Sequence, residues 1–235
     1  MAPASSRAQT PLLAYVDTNI LVYWLLPSSH NPKPRSQASH LLSRQETMRL
    51  FAIFRRHAGP SHRITVVTCQ WGLTETHGAL YADALWQNGA FPRRHKQNPR
   101  RRFPPHHPSL QQATTALQAG IGSLVSTVAL QIEQPDSALW ETAQQISEEC
   151  GIYAPDCLHL AAALHSGCGL FVTYDIDLLN KIHHLQQTGN LGSILASLFP
   201  GGMAPQFDAC PLRSSSRLQQ SQPIARSFLA QMGYT

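Results

Sequence analysis

Four short apolar runs punctuate this chain: LLAYV (12–16), ITVVT (64–68), STVALQIE (126–133) and GLFVT (169–173). Runs of this length, rich in Val, Ile and Leu and ending at polar breaks, read as buried strands. Between them lie longer stretches with apolar residues at helical spacing. Strands alternating with helical stretches predict an α/β fold with a central, mostly parallel sheet flanked by helices. The 235 residues suit one large domain or an ordinary domain carrying long insertions, and an apolar content of 43% is enough for a packed core.

The helical stretches have recognisable limits. NILVYWLL is expected to end at Pro27, and residues 36–57 place Leu41, Leu42, Met48, Phe51 and Ala52 at helical spacing. QWGLTETHGALYADALW carries Glu75 near its start. Further helices are expected over 109–122, over 136–151 with Gly151 as the stop, and over 155–167, opened by Pro155 and closed by Gly167. YDIDLLNKI begins a loop and a helix. The expected organisation is a loose tail over 1–11, a folded domain over 12–200 and an irregular extension over 201–235. A basic insertion lies near 88–108: RRHKQNPRRRFPPHHP (93–108) holds six of the 18 Lys and Arg residues together with four prolines. Such a segment cannot build a core and reads as exposed.

Several classes are disfavoured. MAPASSRAQT lacks the apolar core of a signal peptide. LLAYVDTNILVYWLLP is shorter than a membrane span of about 20 residues and has Asp17 and Asn19 at its centre. The five cysteines form no CxxC pair, and Cys157, His159 and Cys168 fit no common zinc spacing, so buried reduced thiols in a cytoplasmic protein are expected. The twelve histidines include the pairs His106–His107 and His183–His184 but no HExxH motif, and they are read as exposed residues rather than metal ligands. Trp71, Trp86 and Trp140 are expected in the core. The net charge of +5 suits an anionic partner.

Against this basic background there are only 13 acidic residues. Asp17 directly follows the first expected strand, and Asp175 lies two residues after the last. Asp156 opens a helix, and Glu75 lies in the first turns of another. In a parallel α/β sheet, ligands gather beyond the carboxyl ends of the strands, where these four would converge. Grouped carboxylates raise one another's pKa unless a cation compensates, and hard oxygen donors select Mg²⁺ or Mn²⁺. Each acid also has a plain structural reading: strand-end cap for Asp17, helix N-terminus for Asp156, turn residue for Asp175 and solvated helix residue for Glu75.

AYVDTNILVYWL, TETHGAL, YAPDCLHLAAAL and LFVTYDIDLL, in that order, resemble the PIN-domain ribonucleases, with VapC-type toxins the nearest group. The resemblance spans roughly residues 12–185 and is strongest over 126–182. It implies a PIN-like fold and a metal-dependent endoribonuclease using Mg²⁺ or Mn²⁺. By resemblance, Asp17, Glu75, Asp156 and Asp175 are the catalytic acids. Asp17, Asp156 and Asp175 hold metal, Asp177 resembles an additional acid in the same turn, and Thr18, Asn19 and Thr173 are polar supports. The basic residues Arg93, Arg94, Lys96, Arg100, Arg101 and Arg102, flanked by Phe91 and Phe103, are candidates for contact with RNA. A homodimer and, for a toxin, an antitoxin partner are also implied. Two departures stand out: segment 82–125 is additional, and the last strand of the fold is not evident in NKIHHLQQTGNLGSILASL, leaving the region near PQFDACPL to supply it. Two other functions compete. One is a catalytically silent RNA-binding or protein-interaction module. The other, a phosphatase of haloacid-dehalogenase type, is disfavoured because position 19 is Asn where a second Asp is needed.

Overall fold

The computed structural model describes residues 12–26, 37–57, 64–89, 106–201, 204–211 and 230. The six basic candidates between Arg93 and Arg102, with Phe91 and Phe103, lie outside the described residues. The elements run β1 (Leu12–Val16), α1 (Thr18–Leu25), α2 (Gln37–His57), β2 (Ile64–Cys69), α3 (Gln70–Gln87), α4 (Pro108–Thr127), β3 (Leu130–Glu133), α5 (Ser137–Cys150), α6 (Ala154–His165), β4 (Leu170–Thr173), α7 (Ile176–Thr188), α8 (Asn190–Leu198) and β5 (Asp208–Pro211).

Among the described residues five strands form one sheet, all parallel, in the order β3-β2-β1-β4-β5. Because strand side chains alternate between faces, β1 serves two cores at once. Tyr15, with Val67 and Phe171 from its neighbours, packs against α5 through α8 by way of Leu139, Leu160, Ile182 and Ile194. Ala14 and Val16, with Val66 and Val172, pack against Ile20, Phe51, Phe54 and Leu124 of α1, α2 and α4. Burial on both faces explains why the strands read as continuous apolar runs rather than as alternating ones. A smaller cluster joins α3 and α4 through Leu80, Leu85 and Ala113.

Two local readings change and one expectation is met. The stretch STVALQIE is not one strand: α4 runs through Thr127, and only Leu130–Glu133 pairs with β2. The Ser126 and Thr127 hydroxyls donate to the Ser123 carbonyl, at 3.0 and 2.6 Å, and satisfy it inside the last turn. The missing strand is β5, in the region of PQFDACPL, where it pairs with β4 along the sheet edge. Trp71 is partly buried against the core, but Trp86 and Trp140 are 40% and 50% exposed, because they fall on the outer faces of α3 and α5. Gly151 closes α5 at φ 58°, the left-handed conformation that glycine adopts without steric cost. Among the described residues, no helix is long and apolar enough to cross a membrane.

Candidate active site

The chain runs outward from the central strand through β2 to β3, then returns to lay β4 on the other side of β1. Strand order reverses there, so the carboxyl ends of β1 and β4 open a crevice between their following loops. Asp17 sits at the end of β1 and caps α1 from an extended backbone (φ −71°, ψ 159°). It is only 5% exposed, and both carboxylate oxygens have partners. Oδ1 accepts from the Thr18 N–H at 2.7 Å. Oδ2 accepts from the Thr173 hydroxyl at 2.7 Å and, more distantly, from the Asn19 amide at 3.4 Å. Thr173 is the last residue of β4, and its hydroxyl also accepts the Asp175 N–H at 2.9 Å. One threonine therefore ties together the two acids that follow adjacent strands.

Glu75 enters from α3. Its Oε2 accepts from the Thr18 hydroxyl at 3.0 Å and lies 2.9 Å from Nε2 of His159. The close approach of α3 depends on Gly72, where an added Cβ would lie 3.1 Å from His159 Cε1 and 3.3 Å from Thr68 Oγ1. The His159 imidazole is 2% exposed, and its other nitrogen, Nδ1, lies 2.8 Å from the Tyr15 hydroxyl. That hydroxyl is in turn 3.0 Å from Cys69 Sγ, which accepts the Gly72 N–H at 3.3 Å. Burial opposes a charge on His159, but hydrogen bonding to Cys69 and Glu75 and the nearby Asp17 carboxylate outweigh it and raise its pKa to about 10. Burial works to raise the Cys69 thiol, yet hydrogen bonding to His159 leaves it below its ordinary value. Tyr15 is pushed well up by burial and then by Cys69, so it stays a neutral phenol between them.

Asp156 lies in the first turn of α6, whose N-cap is Tyr153, and three residues before His159 on the same helix face. Its pKa is raised to about 6, first by burial and then by the carboxylates of Asp175, Asp17 and Glu75, while His159 pulls it down. Asp175 caps α7, its Oδ1 accepting from the Asp177 and Leu178 N–H groups at 2.9 and 3.0 Å. The plain capping reading thus holds for one oxygen of Asp175. Asp177 is exposed in the first turn of α7.

The structure brings Asp17, Glu75, Asp156 and Asp175 near enough for three of them to act electrostatically on the fourth. A hard cation fits this donor set in kind: the donors are carboxylate oxygens, and Asp156 carries the mark of crowded negative charge. The side chains are not drawn into a ligand cluster, since no group of three or more His, Cys, Asp or Glu among the described residues is arranged to hold a metal ion. Asp17, Glu75 and Asp175 instead each accept from the protein's own donors, while Asp156 is acted on by burial and its charged neighbours. The soft-metal alternative is not built either: Cys157 donates to the Ile152 carbonyl at 3.4 Å, while His159 turns to Glu75 and Tyr15. His159, Tyr15 and Cys69 are the site residues that sequence reasoning missed. The available signal was a lone histidine in the apolar run LHLAAAL, one turn beyond Asp156.

Residues 118–184 match the family model of the PIN domain. The match runs from the second half of α4 to α7, so it contains Asp156, His159, Thr173 and Asp175, while Asp17 and Glu75 lie outside it. No curated protein matches the chain. The matched segment and the described five-stranded parallel sheet are both consistent with a PIN-like α/β fold.

Proposed function

We propose that this chain is a PIN-domain protein and a metal-dependent endoribonuclease, a reading supported by the match over residues 118–184 and by the parallel sheet. One observation carries the reading: Asp17, Glu75 and Asp175 meet around a half-buried Asp156 at the switch point of the sheet, where burial first and then their carboxylates raise its pKa to about 6. A protein gains nothing in stability from crowding acids there, and a cation would relieve the repulsion. Asp17, Asp156 and Asp175 would hold Mg²⁺ or Mn²⁺, with Asp177 at the rim. When bound, such an ion lowers the pKa of a water and stabilises charge on a phosphodiester.

The protein's own groups account for the rest of the proposed reaction. Thr173 and Asn19 fix the Asp17 carboxylate in one rotamer, so it is oriented before any ligand arrives. Glu75, clamped by Thr18 and His159, presents a carboxylate that can accept a proton from the attacking water. The six Lys and Arg residues between positions 93 and 102 would attract the RNA backbone. The resemblance extends the proposal to a cytoplasmic homodimer and, for a toxin, to an antitoxin covering the acidic pocket. A second reading, a silent RNA-binding or interaction module, is favoured by one fact: Asp17, Glu75 and Asp175 are engaged with the protein's own donors, and among the described residues the acids are not gathered as ligands.

Labelled structured and single-stranded RNAs, incubated with wild type and with Asp17→Asn/Asp156→Asn protein in Mg²⁺, Mn²⁺ or EDTA, separate the readings. Cutting by wild type alone, abolished by EDTA, is expected. Equal cutting by the double variant would sink the nuclease. RNA binding without cutting by wild type would favour the module.

A further inference from the structure

We propose that His159 is a positioning residue, whose Nε2 edge sets the orientation of Glu75; as a statement about catalysis this rests on the nuclease reading above. Nε2 lies 2.9 Å from Glu75 Oε2, the same oxygen that takes the Thr18 hydroxyl at 3.0 Å. Thr18 Oγ1 is also 3.1 Å from Nε2, so the three polar groups form one closed triangle. Two donors on one oxygen fix the rotation of the carboxylate plane, which a single bond would leave loose.

The imidazole itself has little freedom. Its Nδ1 is 2.8 Å from the Tyr15 hydroxyl, and the Tyr15 ring is stacked on Phe171 with centroids 5.2 Å apart and planes 5° from parallel. Tyr15 is fully buried in β1, so the position of Glu75 is referred back to the central strand. Cys69 ends the chain of contacts at the junction of β2 and α3. A histidine serving only to fill the core would need both nitrogens satisfied. It would not need one of them aimed at an acid whose charge acts on Asp156.

Asparagine and glutamine separate the two nitrogens. An Asn amide reaches the position of Nδ1, whereas a Gln amide reaches that of Nε2. Kinetics of RNA cleavage by His159→Gln and His159→Asn, with thermal unfolding of each, therefore tests the assignment. We expect His159→Gln to keep kcat within about fivefold of wild type, and His159→Asn to lose on the order of 10- to 100-fold in kcat with KM unchanged, as loss of an orienting partner does. Equal losses in both variants, following their unfolding temperatures, would reduce His159 to a packing residue and overturn the proposal. Should both variants fail to fold, Tyr15→Phe takes their place, with a loss in kcat at unchanged KM expected and wild-type kcat contradicting the proposal. A readout independent of activity uses metal-free protein labelled with ¹⁵N-histidine. A slowly exchanging imidazole N–H resonance is expected, moving on Glu75→Ala. Its absence, or its indifference to that change, would refute the contact even if wild type cuts RNA. If wild type cuts nothing, the nuclease reading fails, while this resonance still decides whether His159 holds Glu75.

Discussion

An aspartate placed beside three other carboxylates opposes folding whenever it is ionised. The Asp156 carboxyl titrates near 6 in the folded chain, against about 3.9 when unfolded, so between those values the native state binds the extra proton. Stability from this group is fullest below about pH 4 and is lost as pH rises through 6. Urea unfolding in EDTA should therefore show Asp156→Asn gaining on wild type as pH rises from 4 to 7. The gain should be roughly 1 kcal/mol, after discounting for the solvent that reaches a half-buried group. A gain that does not change with pH would contradict the assignment. At pH 7, Mn²⁺ should raise the unfolding temperature of wild type and leave the variant unmoved. The placement of Asp17, Asp156 and Asp175 was legible in the sequence, because each falls where a predicted element begins or ends. His159 was not: its partners, Glu75 and Tyr15, lie 84 and 144 positions away, and no local pattern encodes that meeting.

Helices set the distances that matter between these side chains, and α3 comes close because position 72 has no side chain. In Gly72→Ala the new methyl would press on His159 Cε1 at 3.1 Å. Replacing glycine inside a helix gains about 1 kcal/mol in propensity, which offsets much of an overpacking cost of about 1–3 kcal/mol. Stability should thus stay within about 2 kcal/mol of wild type, while cleavage falls about tenfold through the displaced His159–Glu75 pair. Denaturant unfolding alongside initial rates checks both halves, and unchanged rates would show that the pair tolerates displacement. Long apolar elements were legible at this scale: β1, β2, α3, α5 and α6 stand within a residue or two of their predicted limits. The limits of β3 and β5 were not, although those of β4, equally short, were. β5 is four residues, DACP, and its strand character comes from pairing with β4 rather than from its own sequence.

For the molecule as a whole, a basic chain around an acidic pocket predicts two separable electrostatic effects. Affinity for single-stranded RNA should fall steeply with salt, by about 0.7 in log–log slope for each neutralised phosphate. Replacing Arg93, Arg94, Lys96, Arg100, Arg101 and Arg102 with Gln should flatten that slope by up to about 4 if all six touch phosphate. Fluorescence anisotropy between 50 and 200 mM salt, roughly the range over which such contacts are lost, measures it. An unchanged slope would remove this segment from the RNA path. Sheet order could be expected only as parallel; that β1 lies at its centre follows from which faces pack, information spread over the entire chain.

The bond from Thr173 to Asp17 joins residues 156 positions apart, across neighbouring strands. During synthesis, then, that bond cannot form until the fourth strand has emerged. A nascent chain that has released α1 through α6 already carries Asp17, Glu75 and Asp156, yet its crevice lacks one wall. Under the proposed reading, an unfinished copy is harmless to the messenger being translated, and activity begins only once the region around residue 175 has emerged and docked.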